Sequence, residues 1–171
     1  MSRAILYRTD FEPIVNIGDA VAILGVDKVA GKFFEVLWVG EVPELLHDFG
    51  NLSSGDTKTE EIDEVKLNDY EFGQWRIEVV SNLVIQEVRI GGEQAIPLWR
   101  TKNYVGYLSR SLSYPNLGEF FSYEDQSVYM KVKANENLTN SYIKFMGFIY
   151  VLEPIGYKPE VYTRIPIGGR R

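Results

Sequence analysis

Apolar residues recur along most of this chain with a period of two, the spacing that puts alternate side chains on one face of a β-strand. In QWRIEVV, Trp75, Ile77 and Val79 alternate with Arg76, Glu78 and Val80, and in SVYMKVK, Val128, Met130 and Val132 alternate with Tyr129, Lys131 and Lys133. The same criterion predicts strands at Ala4 to Arg8, Ala20 to Leu24, Lys32 to Val39, Gln74 to Val80, Leu83 to Ile90, Ala95 to Trp99, Asn103 to Leu108, Ser127 to Lys133 and Ser141 to Leu152. Within LVIQEVRI the parity slips: Leu83 and Ile85 share a face, then Val88 and Ile90 share the other. A bulge near Gln86 accounts for the slip. Ser81-Asn82 between two strong runs predicts a tight hairpin turn, and Gly91-Gly92 ends the second of them.

Helical signals are short. Pro43 suits the first turn of a helix through Glu44, Leu45, Leu46, His47, Asp48 and Phe49, with Gly50 as its terminator. Thr57-x-x-Glu60 has capping-box form, but the acids that follow make Asn51 to Asp69 a long, polar, acidic excursion. Strands at this spacing, without long alternating helices, predict an all-β fold: an eight-stranded jelly-roll β-barrel or sandwich over residues 1–155, followed by an extended C-terminal arm over 156–171.

Composition narrows the partners. Lys and Arg number 18 against 24 Asp and Glu, a net charge of -6 that argues against nonspecific attraction to nucleic acid or anionic lipid. The absence of cysteine excludes disulfides, thiolate metal sites and a cysteine nucleophile. The opening MSRAILYRTDFEP lacks the apolar core of a signal peptide, and no apolar run approaches the length of a spanning helix, so synthesis in a cytoplasm is expected.

No catalytic motif stands out, and neither an enzyme activity nor a cofactor or metal is expected. His47, the only histidine, sits beside Asp48 where a proton-transfer pair is conceivable, although a solvent-facing helix residue is the expected reading. Glu60, Glu61, Asp63 and Glu64 lack the glycine turn and alternating oxygens of a calcium loop, and read as a solvated face. Glu119, Glu124 and Asp125 offer the carboxylates of a glycosidase, but any chain this acidic does. Gly91-Gly92 and Gly168-Gly169 are isolated turns, not phosphate loops. Asn51-Leu52-Ser53 and Asn137-Leu138-Thr139 have the form of glycosylation acceptors without a secretory context. The tryptophans Trp38, Trp75 and Trp99, with Tyr104, Tyr107 and Tyr114, could form a stacking platform for sugars. Core packing is the plainer use of them.

The last strand poses a specific problem. In SYIKFMGFIYVLEP, Ile143, Phe145, Ile149 and Val151 lie on one face, and Met146, Phe148, Tyr150 and Leu152 on the other, so both faces are apolar. The second face needs a cover: a loop of the same chain, a second sheet, or another subunit. The tail GYKPEVYTRIPIGGRR, with Pro159 and Pro166, cannot continue a central strand and is expected to lie as an arm on a neighbour, the alternative being a tail folded back on its own sandwich. The expected oligomer interface is therefore Met146, Phe148, Tyr150, Leu152, Val161, Tyr162, Ile165 and Ile167.

The run from Gln74 to Pro154, with WRIEVVSNLVIQEVRIGG, YPNLGEFF and SVYMKVKANENLTNSYIKFMGFIYVLEP, resembles the second half of single-jelly-roll capsid proteins from tailless, membrane-containing icosahedral viruses. It is most similar to the small major capsid proteins of phages that infect thermophilic bacteria. The resemblance implies a non-enzymatic shell protein in the virion. It would contact copies of itself and other capsid proteins near a viral membrane, without specific nucleic acid. The alternative is a carbohydrate- or receptor-binding β-sandwich, such as a virus spike, using Trp99, Tyr104 and Tyr107.

Overall fold

A computed structural model describes residues 12–24, 33–91, 93–94, 96–100, 104–108, 119–124 and 126–166; Leu24, 93–94, 96–100, 104–108, Glu119 and Pro166 are described as backbone. The strands are β1 (Ala20–Leu24), β2 (Phe33–Asp48), β3 (Thr57–Glu61), β4 (Glu71–Val79), β5 (Leu83–Ile90), β6 (Glu93–Gln94), β7 (Ile96–Arg100), β8 (Tyr104–Leu108), β9 (Glu119–Tyr123), β10 (Val128–Ala134), β11 (Tyr142–Ile155) and β12 (Thr163–Pro166). Among the described residues there is no α-helix, and one 3-10 turn spans Asp63–Val65. The expected strand at Ala4 to Arg8 lies outside the described residues.

The all-β class holds, in the form of two sheets that do not close into a barrel. Eight strands form the large sheet in the order β12-β1-β2-β11-β4-β8-β7, with β9 also pairing with β4. The small sheet runs β3-β10-β5-β6. Among the described residues all strand pairs are antiparallel except β1 with β12.

Local features follow the sequence in some places and overrule it in others. In β5 the register on β10 jumps from Glu87 to Ile85, so Gln86 is the bulged residue that the parity slip requires. The helix expected from Pro43 to Phe49 is instead the second half of β2. Pairing with β11 outweighs a few residues of helix signal, and Pro43 falls between Val42 and Leu45, where the register shifts and a missing N–H costs no ladder bond. Gly50, with φ +87°, turns the chain after the strand, and its N–H donates to Asp48 Oδ1 at 2.7 Å. Ser81-Asn82 does not close a hairpin, because β4 and β5 belong to different sheets and the turn carries the chain across the sandwich. The capping-box segment at Thr57 is likewise a strand, held by backbone pairing to β10.

Two hydrophobic cores lie on opposite faces of the large sheet. The inner one fills the space between the sheets: Trp75, Ile77, Val79, Ile143 and Phe145 face Ile85, Val88, Met130 and Val132 of the small sheet, with Ile62 and Val65 closing one side. The outer one gathers Phe72, Phe121, Phe148, Tyr150 and Leu152 with Val21, Ile23, Phe34, Val36 and Ile165, under Val15. Strand β11 supplies both. It does so by alternation, Ile143, Phe145 and Ile149 facing the inner core and Phe148, Tyr150 and Leu152 the outer, and at Gly147 it passes so close to β4 that a methyl group would overlap the carbonyl of Gln74.

The second apolar face of β11 is thus covered by the chain itself. Residues 12–19 cross it as a strap. The amide of Ile14 donates to Tyr150 Oη at 2.8 Å, that hydroxyl donates to Gln74 Oε1, and Gln74 Nε2 donates to the Glu12 carbonyl at 3.0 Å. Gly18 N–H donates to Val36 O (2.8 Å) and Val36 N–H to Asp19 O (2.9 Å), which fixes the strap to β2. The Tyr150 ring stacks on Phe72 with centroids 4.3 Å apart and planes within 6°. Further along this face Arg76 and Glu78 are also buried, and Lys144, opposite Glu78 in the ladder, reaches its carboxylate at 3.0 Å.

The interface expected at Met146, Phe148, Tyr150 and Leu152 is therefore corrected: all four are buried within the protomer, Tyr150 completely. Ile165 is buried as well, because part of the presumed arm is strand β12, paired in parallel with β1. Only an edge position tolerates Pro166 there.

Replacing Phe148 and Tyr150 together with Ser should cost about 3–5 kcal/mol per ring and unfold the protomer, seen as loss of the β signal by circular dichroism. A folded double variant would place both rings outside the core.

Candidate functional site

His47, near the end of β2, is held between two carboxylates. Its Nδ1 lies 2.8 Å from Glu64 Oε1 in the 3-10 turn and its Nε2 lies 2.8 Å from Glu60 Oε1 on β3, while Phe49 packs edge-on against the ring at 4.6 Å. Lys58, two residues before Glu60 on β3, also reaches Glu60, at 3.1 Å, and donates to the Phe49 carbonyl at 2.7 Å. Both ring nitrogens can donate together only when the ring carries both protons. The side chain is not the solvent-facing helix residue that the sequence suggests. It ties the β3 excursion to the large sheet and has neither nitrogen free for a substrate. The two carboxylates sit at opposite ends of the ring, so they cannot converge on one ion. Among the described residues no group of three or more His, Asp or Glu is placed to hold a metal.

A second feature is a cleft of about 270 Å³ lined by Asn51, Leu52, Ser53, Asp56, Asn137, Leu138 and Thr139. Its floor is an isolated antiparallel bridge between Leu52 and Leu138, with N–H···O bonds of 3.0 and 2.7 Å. The two acceptor-like tripeptides of the sequence therefore lie side by side: Asn51 opposite Thr139 and Ser53 opposite Asn137, all on the face away from the core that takes Leu52. Asn137 Oδ1 accepts from Ser54 N–H (2.9 Å) and Asp56 Oδ2 from Ser53 N–H (3.1 Å), so part of this polarity is spent on the turn. Asp56 is the sole titratable side chain of the lining, which gives the cleft hydrogen-bonding capacity without an acid–base pair.

The third feature is the surface around the connection from β11 to β12. Tyr157 is 68% exposed and Val161 84%, the highest values among the large apolar side chains described. Tyr162 packs edge-on against Phe33 with centroids 5.2 Å apart. Arg164 donates to its hydroxyl at 3.4 Å and holds that hydroxyl below the usual tyrosine range, with Lys158 adding to the effect.

Of the residues expected in an oligomer interface, Val161 and Tyr162 are at the surface, Met146, Phe148, Tyr150, Leu152 and Ile165 are in the core, and Ile167 lies outside the described residues. Trp99 on β7 and Tyr104 and Tyr107 on β8 are described as backbone only. Trp75 is fully buried and donates its indole N–H to Ser122 Oγ at 3.0 Å, which removes it from any surface platform. Trp38, by contrast, stands 53% exposed.

No family model matches the chain, and neither does any curated protein or solved structure. Among the described residues no helix is long and apolar enough to cross a membrane.

Two predictions follow from these placements. His47→Ala leaves Glu60 and Glu64 without their shared donor and should lower the unfolding free energy by about 2 kcal/mol, read from urea denaturation. At the other core, burial and then the Glu124 carboxylate push the Tyr123 hydroxyl well above the usual tyrosine value. A group raised in the folded state stabilises fully below its unfolded pKa and loses that contribution as pH rises past it. Stability should therefore fall above about pH 10, and Tyr123→Phe should flatten that part of the profile in pH-dependent melting curves.

Proposed function

We propose that this protein is a coat-forming structural protein, a capsid subunit that associates with copies of itself and with other shell proteins in a virion near a viral membrane. In this reading it acts without a cofactor, catalysis or specific nucleic-acid contact. On the same reading the two facing sheets are taken as an elaborated jelly roll, with the large sheet extended by β12 at one edge. The observation that carries the reading is the pair Tyr157 and Val161, exposed on the loop beside that edge strand. Large apolar side chains standing in water next to an outermost strand are suited to a side-to-side contact with a neighbour. Tyr162 and Arg164 extend the same surface and supply an aromatic ring and a guanidinium, two groups favoured in protein contacts.

Light scattering and electron microscopy across a concentration series test the reading directly. Association into rings, sheets or shells is expected as concentration rises. The double substitution of Tyr157 and Val161 with Ser should leave the melting temperature unchanged while weakening association by about 2 kcal/mol. A wild-type protein that stays monomeric at every concentration, or a double variant that assembles as well as wild type, would contradict it.

A further inference from the structure

The inner face of the large sheet continues past the small sheet, and among the described residues neither core takes in Glu35, Trp38 or Glu153 there. Register places Phe33 opposite Ile155, Glu35 opposite Glu153, Trp38 opposite Val151 and Gly40 opposite Ile149, and directly opposed residues share a face. The neighbours in between, Phe34, Val36, Tyr150 and Leu152, point into the outer core, which confirms the side. The jump from Val36 to Trp38 skips Leu37, a bulge that brings Trp38 onto this face.

Trp38 is held flat. A methyl group at Gly40 would overlap the six-membered ring of Trp38, so the indole rests directly on the glycine backbone and turns its other face to solvent. Along β2 the exposed order is thus an aromatic residue, Phe33 backed by Tyr162, then the carboxylate pair Glu35 and Glu153, then the Trp38 indole. Allowing for the bulge, the span from Phe33 to Trp38 is about 13 Å at the strand rise, or roughly two to three pyranose rings end to end.

We propose that this strip binds a linear oligosaccharide lying along β2. A pyranose ring has an apolar C–H face that stacks on an open indole and a rim of hydroxyls that donate hydrogen bonds. Glu35 and Glu153 are exposed, carry no ion pair or side-chain hydrogen bond among the described residues, and as carboxylates only accept. Two like charges directly opposed in a ladder are unfavourable by themselves, and donors from a bound ligand relieve them. The same pair disfavours other occupants. Two copies meeting face to face through this strip would oppose four carboxylates on chains that each carry -6, and nucleic acid or anionic lipid would be repelled. In the sequence the signal for this flat ring is the spacing Trp38-x-Gly40.

The test is tryptophan fluorescence and isothermal titration calorimetry of the full chain. The probes are linear hexasaccharides of glucose (β-1,4 and β-1,3), of N-acetylglucosamine and of galactose at millimolar concentration, with an oligolysine peptide as the cationic control. Saturable binding of at least one saccharide is expected, weakened about tenfold or more by Trp38→Ala. Gly40→Ala, which displaces the ring without deleting it, should weaken binding similarly, and Glu35→Gln should do so to a smaller extent. Circular dichroism and melting temperature establish that each variant is folded. If Gly40→Ala fails to fold, Trp38→Ala and Glu35→Gln decide the matter. Binding of none of the saccharides, saccharide binding unaffected by Trp38→Ala, or Trp38-dependent binding of the oligolysine alone would each overturn the proposal.

Discussion

A central strand with apolar side chains on both faces has to be covered twice, and the architecture follows from how this chain meets that demand for β11. Each exposed Phe or Leu returned to an apolar setting contributes about 1.5–3 kcal/mol, so leaving Phe148, Tyr150 and Leu152 in water would forfeit much of the stability of an ordinary domain. The inner face is covered by a second sheet over Ile143, Phe145 and Ile149. The outer face is covered by the strap at residues 12–19, the strands β1 and β12, and Phe121 of β9. Tyr150 shows how closely the second cover is fitted: its ring is spent on Phe72 and its hydroxyl on the strap amide and Gln74. A buried hydroxyl is tolerable only when bonded, so the strap is part of the core and not an accessory to it.

That solution changes where an assembly contact can lie. With the outer stripe consumed internally, two surfaces among the described residues that neither core needs are suited to recognition: the loop with Tyr157 and Val161 beside β12, and the overhang of the inner face around Trp38. The two differ in chemistry. The first is apolar with cations alongside it, the second an aromatic ring bordered by carboxylates. A subunit that associates through one and binds a hydroxylated ligand through the other uses each surface for the chemistry it presents.

The strand content was readable because β-alternation is a local signal. β5 is the clearest case, since its change of parity located the bulge at Gln86. What was not readable depended on partners distant in the chain. The stretch from Pro43 to Phe49 carries real helix signals, and only its registered pairs with β11, from Leu45 to Asp48, make it strand. TKTEE in β3 has no apolar residue to announce it, because an edge strand can be held by backbone bonds alone. The strap contributes Ile14 and Val15 to the outer core from a stretch, EPIVNIGD, with no periodicity at all. The problem of a cover for β11 was visible in the sequence, but its answer was not. His47 follows the same rule: its carboxylate partners come 13 and 17 residues later, from an acidic run that reads as solvated.

The most direct measurement is amide hydrogen exchange at Ile14, followed by NMR in a dilute sample where the protein is monomeric. The cover described here requires that this amide be strongly protected in the monomer through its bond to Tyr150, and that Tyr150→Phe remove the protection at Ile14 while the amides of β11 stay protected. An Ile14 amide that exchanges freely in the monomer, and slows only when subunits associate, would mean that the outer face of β11 is covered by a neighbour and not by the chain's own strap.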